Sequence, residues 1–319
     1  MRNVVIKNRD DIILLNKNVF VMHKQTSFTL IELMTVIGII AILAGLMLVG
    51  YNVFFEEADI GSSMRFDSSI HHSLGYALVG DWKLDDDAAN STVVDTSGNG
   101  NDGTFYINGT EANTEDYSVD GANGRALEFD RSDGGDYITI NNDQEILDLA
   151  NVSGYTVSLW AKFTGTLDSW HIGISYNNGH TWYVGRNNIN YWKYNWFDSG
   201  GCHGSSSNDE VKNNQWYYLV AVNKGAQEGR LYVNGKEQDD ISAGTGPYDN
   251  NSLTVQAGAI SSSYSSPFVG SLDQVRIYST PLSSKQIKQQ YYTGLQRLYK
   301  KGLISRAEYI KKSFEKKLN

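Results

Sequence analysis

Oxygen-bearing side chains cluster in a glycine-rich turn, and another carboxylate lies far along the chain. The turn carries Asp95, Asn99 and Asn101, whereas Asp273 begins a segment of alternating apolar residues. This alternation predicts that Asp273 shares the core face with Val275, where a carboxylate must be neutralised. Oxygen ligands on a flexible turn suit Ca²⁺. The pattern therefore favours a structural calcium site; the alternative is an Asx turn, with Asp273 hydrogen-bonded to backbone amides.

A second group of side chains is aromatic and suited to sugar binding. Tryptophan and tyrosine offer flat apolar faces with a polar handle, and Asn187, Asn188 and Asn190 lie close by in the sequence. The candidate glycan-binding residues are Trp170, Tyr176, Trp182, Tyr191, Trp192, Tyr194 and Trp196. Because aromatic residues that alternate along a strand are often core residues, we expect about half of the aromatic set to be buried.

Catalytic patterns are weak in this sequence. A glycosidase needs two carboxylates that flank the scissile bond, but acidic pairs such as Asp209 and Glu210 lie in loop-like surroundings. Cys202 stands beside His203 without a third partner of the kind that an activated nucleophile requires. The sequence therefore predicts a binding or structural protein rather than an enzyme.

The charge is distributed unevenly along the chain. The formal net charge is −9, and residues 28–283 carry 12 basic against 32 acidic side chains. Such an acidic body argues against a nucleic-acid partner. Residues 284–319 carry ten basic and two acidic side chains, which suit either a membrane surface or an acidic partner, or simply form solvated helix faces. The single cysteine excludes an intrachain disulfide.

One apolar stretch is long enough to cross a membrane. Leu33–Phe55 is uncharged over 23 residues, and a helix rising about 1.5 Å per residue would span the roughly 30 Å hydrocarbon core. Basic residues precede this stretch and acidic residues follow it, so the N-terminus is expected in the cytoplasm. Glu32 lies at the edge of the stretch, where a carboxylate normally has a partner.

The residues around this edge resemble the class III signal of type IV prepilins and type II secretion pseudopilins. The resemblance rests on the run KQTSFTLIELMTVIGIIAILA. It implies that a membrane peptidase cuts between Ser27 and Phe28 and methylates the new N-terminus at Phe28. It also implies that Glu32 stays with the anchor. On physical grounds, its carboxylate is expected to neutralise the new amino terminus of a neighbouring subunit inside a filament core. Ser27 departs from the usual glycine, so the alternative is an uncleaved single-pass anchor.

The body of the chain has the two-residue periodicity of strands. Tyr155–Phe163 alternates apolar and polar residues, and Trp216–Val222 and Ser271–Tyr278 are similar. The dipeptide Asn234–Gly235 is typical of a tight hairpin turn. Many short strands without intervening helices predict a β-sandwich or jelly roll.

Six segments of this body resemble laminin-G-like, concanavalin A-like jelly rolls over residues 78–292. They are Trp82–Asp85, Asp95–Gly103, Ala126–Asp130, Val157–Trp160, Leu231–Gly235 and Gly270–Tyr278. The resemblance implies a structural calcium held by the side chains of Asp95 and Asp273, with backbone carbonyls near Asn99 and Asn101 assisting.

These observations predict an α + all-β protein in four parts. Residues 1–27 form a leader, 28–75 a pilin-type helix with its membrane span at about 33–55, 76–283 the jelly roll, and 284–319 a basic helical tail. In the tail, Ser284–Tyr299 is amphipathic, and Ser305 opens a capping box before a second short helix.

The expected function is a minor subunit of a type IV pilus or pseudopilus that displays a lectin-like binding domain. Its expected partners are prepilin peptidase, other pilin subunits, the membrane and extracellular glycans, with no nucleic acid. The expected location is the bacterial cytoplasmic membrane and then the cell surface. Two alternatives stay open: an anchored lectin-like protein that does not polymerise, and an anchored glycoside hydrolase.

Overall fold

The computed structural model divides the chain into two compact units, Met1–Glu57 and Ala58–Asn319. The residues that it describes are 7–8, 11–12, 29–45, 74–130, 135–141, 154–166, 171–176, 182–198, 201–225, 228–239, 254–258 and 267–314.

The first unit contains a short strand pair and one helix. Strands β1 (Lys7–Asn8) and β2 (Asp11–Ile12) are antiparallel, and helix α1 covers residues 30–45. Within the described residues, no helix is long and apolar enough to cross a membrane. Residues 33–45 of the predicted span lie in α1, and residues 46–55 lie outside the described residues.

The second unit contains a β-sandwich, as the alternation predicts. Its strands are β3 (Leu78–Trp82), β4 (Thr92–Val93), β5 (Gly103–Ile107), β6 (Thr110–Glu111), β7 (Ser118–Asp120), β8 (Arg125–Phe129), β9 (Asp136–Asn141), β10 (Tyr155–Phe163), β11 (His171–Tyr176), β12 (Trp182–Arg186), β13 (Tyr191–Asp198), β14 (Gly201–Glu210), β15 (Trp216–Asn223), β16 (Gly229–Val233), β17 (Lys236–Glu237), β18 (Thr254–Ala257) and β19 (Gly270–Tyr278). Short 3₁₀ turns occur at Gly75–Ala77 and Thr114–Tyr117.

The strands form two antiparallel sheets. The first sheet has the order β17-β16-β15-β10-β19-β8-β7, with β3 also paired to β19. The second has the order β14-β13-β12-β11-β18-β9-β5-β4, with β6 paired to β5. The hairpin predicted at Asn234–Gly235 joins β16 to β17, and both residues have the positive φ, 53° and 77°, that such a turn requires.

The inner core lies between the two sheets and is built from alternate residues of each strand. On β10 the inward residues are Tyr155, Val157, Leu159, Ala161 and Phe163, as the two-residue period predicts. Large aromatic rings from β12 and β13 fill the same layer. Burial of these side chains is the main stabilising term for the sandwich.

An outer core covers the opposite face of the first sheet. Helix α2 (Ser284–Lys300) places its apolar stripe there, and α3 (Arg306–Phe314) follows. The outer core contains Trp160, Tyr218, Val220 and Tyr232 from the sheet and Ile287, Tyr291, Leu295 and Leu298 from α2.

The side chain of Ser283 and that of Gln286 form a capping box at the start of α2. The helix predicted at 284–299 is therefore a third layer of the sandwich.

A β-bulge in β19 changes which face Asp273 occupies. Asp273 lies opposite Trp160, an outer-core residue, and the pairing shifts between Ser158 and Trp160. Gln274 has a φ of 50° at this point, and the extra residue reverses the alternation before Val275 enters the inner core. The expectation that Asp273 and Val275 share a face is wrong, because simple alternation does not register a bulge.

A substitution at Gly294 tests how closely α2 packs against Trp160 of the first sheet. A Cβ at this position would lie 2.1 Å from Cζ2 of Trp160. In an exposed helix, Gly→Ala gains up to about 1 kcal/mol, but overpacking costs about 1–3 kcal/mol. We expect Gly294→Ala to lower the free energy of unfolding of the full chain in urea. Lys285→Ala, at an exposed position of α2, is the control; a stabilising effect of Gly294→Ala would contradict the close contact.

Candidate functional site

The start of α1 holds the acidic residue of the N-terminal motif. Glu32 Oε2 accepts hydrogen bonds from the backbone nitrogen and Oγ1 of Thr29, both at 2.8 Å. The Glu32 backbone nitrogen donates in return to Thr29 Oγ1 at 3.3 Å. This reciprocal pair is a capping box, which begins the helix directly after Thr29. The predicted cleavage residues, Ser27 and Phe28, lie outside the described residues.

Glu32 is the only charged residue of α1, and the apolar side chains around it are exposed. Leu30 is 78% and Ile31 74% exposed, and several further leucine and isoleucine side chains along the helix exceed 50%. A helix with apolar side chains on all sides is unfavourable in water and is typical of a membrane or a buried assembly. The Glu32 carboxylate lies in the first turn of α1, where it interacts favourably with the positive end of the helix dipole.

The glycine-rich turn holds Asp95 through hydrogen bonds within the protein. Its Oδ1 accepts from the backbone nitrogens of Asp81 and Ser97, both at 2.9 Å. Its Oδ2 accepts from Ser97 Oγ at 2.8 Å and from the backbone nitrogen of Asn101 at 3.0 Å. Four donors therefore satisfy this carboxylate, as the alternative of an Asx turn predicts.

The two asparagines of the turn fasten it to β3. Asn99 Nδ2 donates to the carbonyls of Leu78 and Val79, at 2.8 and 3.0 Å. Asn101 Nδ2 donates to the Val79 carbonyl at 2.9 Å. Their amide groups thus replace ladder hydrogen bonds along a strand edge, which gives them a structural role.

Asp273 meets a different loop. Its Oδ2 accepts from the backbone nitrogen of Asn123 at 2.7 Å, and its buried Oδ1 has no hydrogen-bond partner within the described residues. Burial raises the pKa of Asp273 well above its usual range. The Asn123 hydrogen bond opposes this rise, the nearby Asp85 carboxylate adds to it, and the positive charge of Lys301 opposes it.

Lys301 brings a positive charge to this loop from the end of α2. Its Nζ donates to the Gly121 carbonyl at 2.8 Å and also to the Gly124 carbonyl. Asp85 Oδ1 accepts from the backbone nitrogen of Arg125 at 2.5 Å on the same loop. Backbone carbonyls beside two carboxylates suit a cation, and in this chain an ammonium group bonds to those carbonyls.

The four residues predicted to hold calcium do not form one donor set. The Asp95 turn uses its side chains to bind itself and β3, whereas Asp273 contacts the Asn123 loop. Within the described ranges, no three histidine, cysteine, aspartate or glutamate side chains come together as a metal site. Asp95, Asn99 and Asn101 thus belong to one hydrogen-bonded turn and Asp273 contacts another loop, and a shared calcium site for the four stays a prediction.

At least four of the seven candidate aromatic residues are buried, in agreement with the expectation that about half of the set belongs to the core. Four members, Trp182, Trp192, Tyr194 and Trp196, are at most 1% exposed and fill the inner core, so they offer no ring face to a sugar. Tyr191 is half-buried. Tyr176 lies in β11, with its side chain outside the described part of the structure, and Trp170 lies outside the described residues.

The neighbouring asparagines serve a turn. Asn187 Oδ1 accepts from the backbone nitrogens of Ile189 and Tyr191, at 3.2 and 2.8 Å. Asn190 Oδ1 accepts from Arg186 Nε at 3.0 Å. These side chains therefore stabilise the β12–β13 connection, and their amide oxygens are occupied.

A cavity that the sequence reasoning missed lies where the β16–β17 hairpin meets the C-terminal helices. Its volume is about 260 Å³. The lining includes Tyr232, Lys236, Lys288, Tyr291, Tyr292 and Lys312. The Asn234–Gly235 dipeptide predicted the hairpin that forms one wall of the cavity. The other wall comes from helices about 50 residues later in the chain. No local pattern connects the two.

Comparison with known proteins finds two family matches. Residues 22–48 match the prokaryotic N-terminal methylation motif, and residues 132–288 match the concanavalin A-like lectin/glucanases superfamily. Both resemblances inferred from the sequence are therefore confirmed. No curated protein matches the chain.

Solved structures share the fold of the second unit. The binding domain of Paraclostridial Mosquitocidal Protein 1 aligns with a TM-score of 0.52 at 16% identity, over 70% of this chain and 53% of that chain. Botulinum neurotoxin type C, in a structure concerning its cell entry and two ganglioside molecules, aligns with a TM-score of 0.50 at 14% identity, over 70% and 52%. This chain thus spans about half the length of each, and the likeness shows the fold alone.

Lys301 provides a test of the loop that contacts Asp273. Lys301→Met removes two charge-assisted hydrogen bonds, each worth about 1.5–3 kcal/mol, although solvent exposure reduces this value. We expect the thermal midpoint of the full chain to fall by about 2–4 °C. The fall in the midpoint should be larger at pH 8 than at pH 5. The carboxyl of Asp273, whose pKa is raised, is more ionised at pH 8, so the positive charge of Lys301 stabilises the fold more at that pH.

Lys300→Met is the matched control, since Lys300 is exposed at the same end of α2. It removes the same charge from the helix terminus. Equal midpoints for the two variants at both pH values would contradict a specific role for Lys301.

Proposed function

Because this chain joins a prokaryotic N-terminal methylation motif to a concanavalin A-like lectin domain, we propose that it is a processed type IV pilin-like subunit. The motif at residues 22–48 carries this proposal. The subunit is anchored in the bacterial cytoplasmic membrane by the segment 33–55, with its C-terminal domain outside. Prepilin peptidase cuts between Ser27 and Phe28 and methylates Phe28, as the family motif implies.

The geometry of α1 supports filament assembly. Its exposed apolar side chains need lipid or the helices of other subunits around them. Glu32, the one charge of α1, becomes the fifth residue after cleavage. In a low-dielectric filament core it requires a partner, and the amino terminus of a neighbouring subunit supplies the opposite charge. The Thr29 capping box holds the carboxylate at the start of the helix for this contact.

The lectin-like domain is the binding part of the subunit. We propose that it binds an extracellular ligand, a glycan or a protein, and does not catalyse a reaction. Its large size relative to α1 suits a minor subunit, since bulky heads hinder close packing along a filament. The competing function is a membrane-anchored lectin that is never processed and does not polymerise, which the departure at Ser27 favours.

Mass spectrometry of the N-terminus separates the two functions. The protein is purified from its native membrane, and its intact mass and N-terminal peptide are measured. A mature chain that begins at N-methylated Phe28 is the expected result. A chain that retains residues 1–27 would instead support the unprocessed anchor.

Two substitutions of Glu32 separate its charge from its capping role. Glu32→Gln keeps an acceptor for Thr29 and removes the charge, whereas Glu32→Ala removes both. We expect both variants to be cleaved at Phe28 and to enter filaments at least about tenfold less than the native chain, a loss of about 1.4 kcal/mol. Filament content is measured by immunoblot of sheared surface fractions. Native incorporation of Glu32→Gln would remove the charge-pairing argument.

A further inference from the structure

The cavity between the β16–β17 hairpin and the C-terminal helices is a built feature of the fold. Gly235, with a φ of 77°, allows the turn to approach α2 closely. A Cβ there would lie 3.2 Å from Cδ1 of Tyr291 and 3.3 Å from Cα of Lys288. The Tyr232 hydroxyl lies 3.1 Å from Ser284 Oγ. These contacts fix the hairpin and α2 as two walls of the cavity.

The cavity is basic, although the body of the chain is acidic. Lys236, Lys288 and Lys312 line it. Lys312 pairs with Glu308 at 3.0 Å, but Lys236 and Lys288 form no ion pair within the described residues. Among the described residues, Lys236 and Lys288 therefore add positive charge to the lining without an ion-pair partner.

Among the described lining residues, the one acidic side chain, Glu237, already has partners. Glu237 Oε1 lies 2.8 Å from Arg230 Nη1, and Glu237 Oε2 accepts from the Tyr232 hydroxyl at 2.8 Å. Its carboxylate is thus engaged by Arg230, which is not a lining residue, and by Tyr232, which is. The electrostatic field inside is set by the lysines, so the cavity favours an anion.

Aromatic rings complete the lining. Tyr291 is buried, and its ring packs on that of Tyr292, with 5.2 Å between centroids. Tyr292 is half-buried, so part of its side chain reaches the surface. A tyrosine with an apolar body and a polar tip is suited to contact a sugar ring. The volume of about 260 Å³ lies just below the range of about 300–1,000 Å³ that is usual for small-molecule sites, so the cavity suits a ligand no larger than one sugar unit.

We propose that this cavity binds a carboxylate-bearing saccharide, with the carboxylate at Lys236 and Lys288 and the sugar ring against Tyr292. This inference rests on the ligand-binding role proposed for the lectin-like domain and adds a place and a ligand class to it. The site lies at the C-terminal helices, far along the chain from the aromatic residues that the sequence suggested.

Binding is tested with the full chain in detergent micelles. Isothermal titration calorimetry uses an oligosaccharide of glucuronic acid, its neutral glucose counterpart and inorganic phosphate. We expect the acidic sugar to bind at least tenfold more tightly than the neutral one, with affinity that falls as salt rises. Equal binding of inorganic phosphate and the acidic sugar would overturn the saccharide assignment, and no binding of the acidic sugar would overturn the site.

Variants locate the site. The double variant Lys236→Gln and Lys288→Gln should weaken binding of the acidic sugar at least tenfold, whereas Lys285→Gln, on α2 but outside the lining, should not. Tyr292→Ala should weaken sugar binding while the fold stays intact by circular dichroism. Unchanged affinity in the double variant would contradict the proposal.

The test also separates this inference from the subunit role. Processing at Phe28 and entry into filaments should be native in the double variant, because neither lysine is near the N-terminal motif in sequence. Failure of sugar binding alone would therefore leave the pilin-like role intact. An unprocessed N-terminus together with sugar binding would overturn the pilin role and keep the cavity.

Discussion

The second unit depends on covering the outer face of its first sheet. Strand β15 carries apolar residues on both faces and β10 adds Trp160 to the outer one, so a two-layer sandwich would leave that face in water. Helix α2 covers it, and the absence of a side chain at Gly294 lets the helix backbone approach Trp160. Because α2 is fixed there, the positions of Lys301 and the cavity next to the β16–β17 hairpin follow from the same contact.

Covering that face also buries polar groups, and two of them are paired with residues from another part of the chain. Arg276 Nε donates to Asp81 Oδ1 at 2.8 Å in a buried pair. The Tyr218 hydroxyl donates to Gln290 of α2. Such interactions contribute little net stability, but the loss of one partner is costly. The Tyr218–Gln290 hydrogen bond therefore helps to specify where α2 lies, and the Arg276–Asp81 pair specifies how β3 lies against β19, while apolar burial supplies the stability.

The apolar residues of α1 differ from those of the sandwich in their exposure. In the sandwich, large apolar side chains pack against one another, whereas along α1 they are exposed. Exposure of such an apolar surface to water is unfavourable, whereas its contact with lipid or with neighbouring helices is favourable. The exposed apolar side chains of α1 are therefore in keeping with the anchoring and assembly proposed for the subunit.

Local patterns in the sequence were sufficient for the elements. The alternation in Tyr155–Phe163 predicted the inner face of β10, and Asn234–Gly235 predicted its hairpin turn. The N-terminal motif and the jelly-roll segments identified both families. These features are encoded within a few neighbouring residues, by the side-chain period of a strand, the φ angles of a turn or the edge of an apolar run.

The sites depended on tertiary structure. One extra residue at Gln274 places Asp273 on the outer face of the first sheet and not in the inner core, which alternation alone did not predict. The alternation of residues in β12 and β13 predicted that their aromatic side chains lie on two faces of the sheet. It did not predict which of the two faces is buried in the inner core. The basic cavity required a hairpin and two later helices to meet. The sequence by itself determined the elements and the families, and only packing between distant segments decided which side chains share a site.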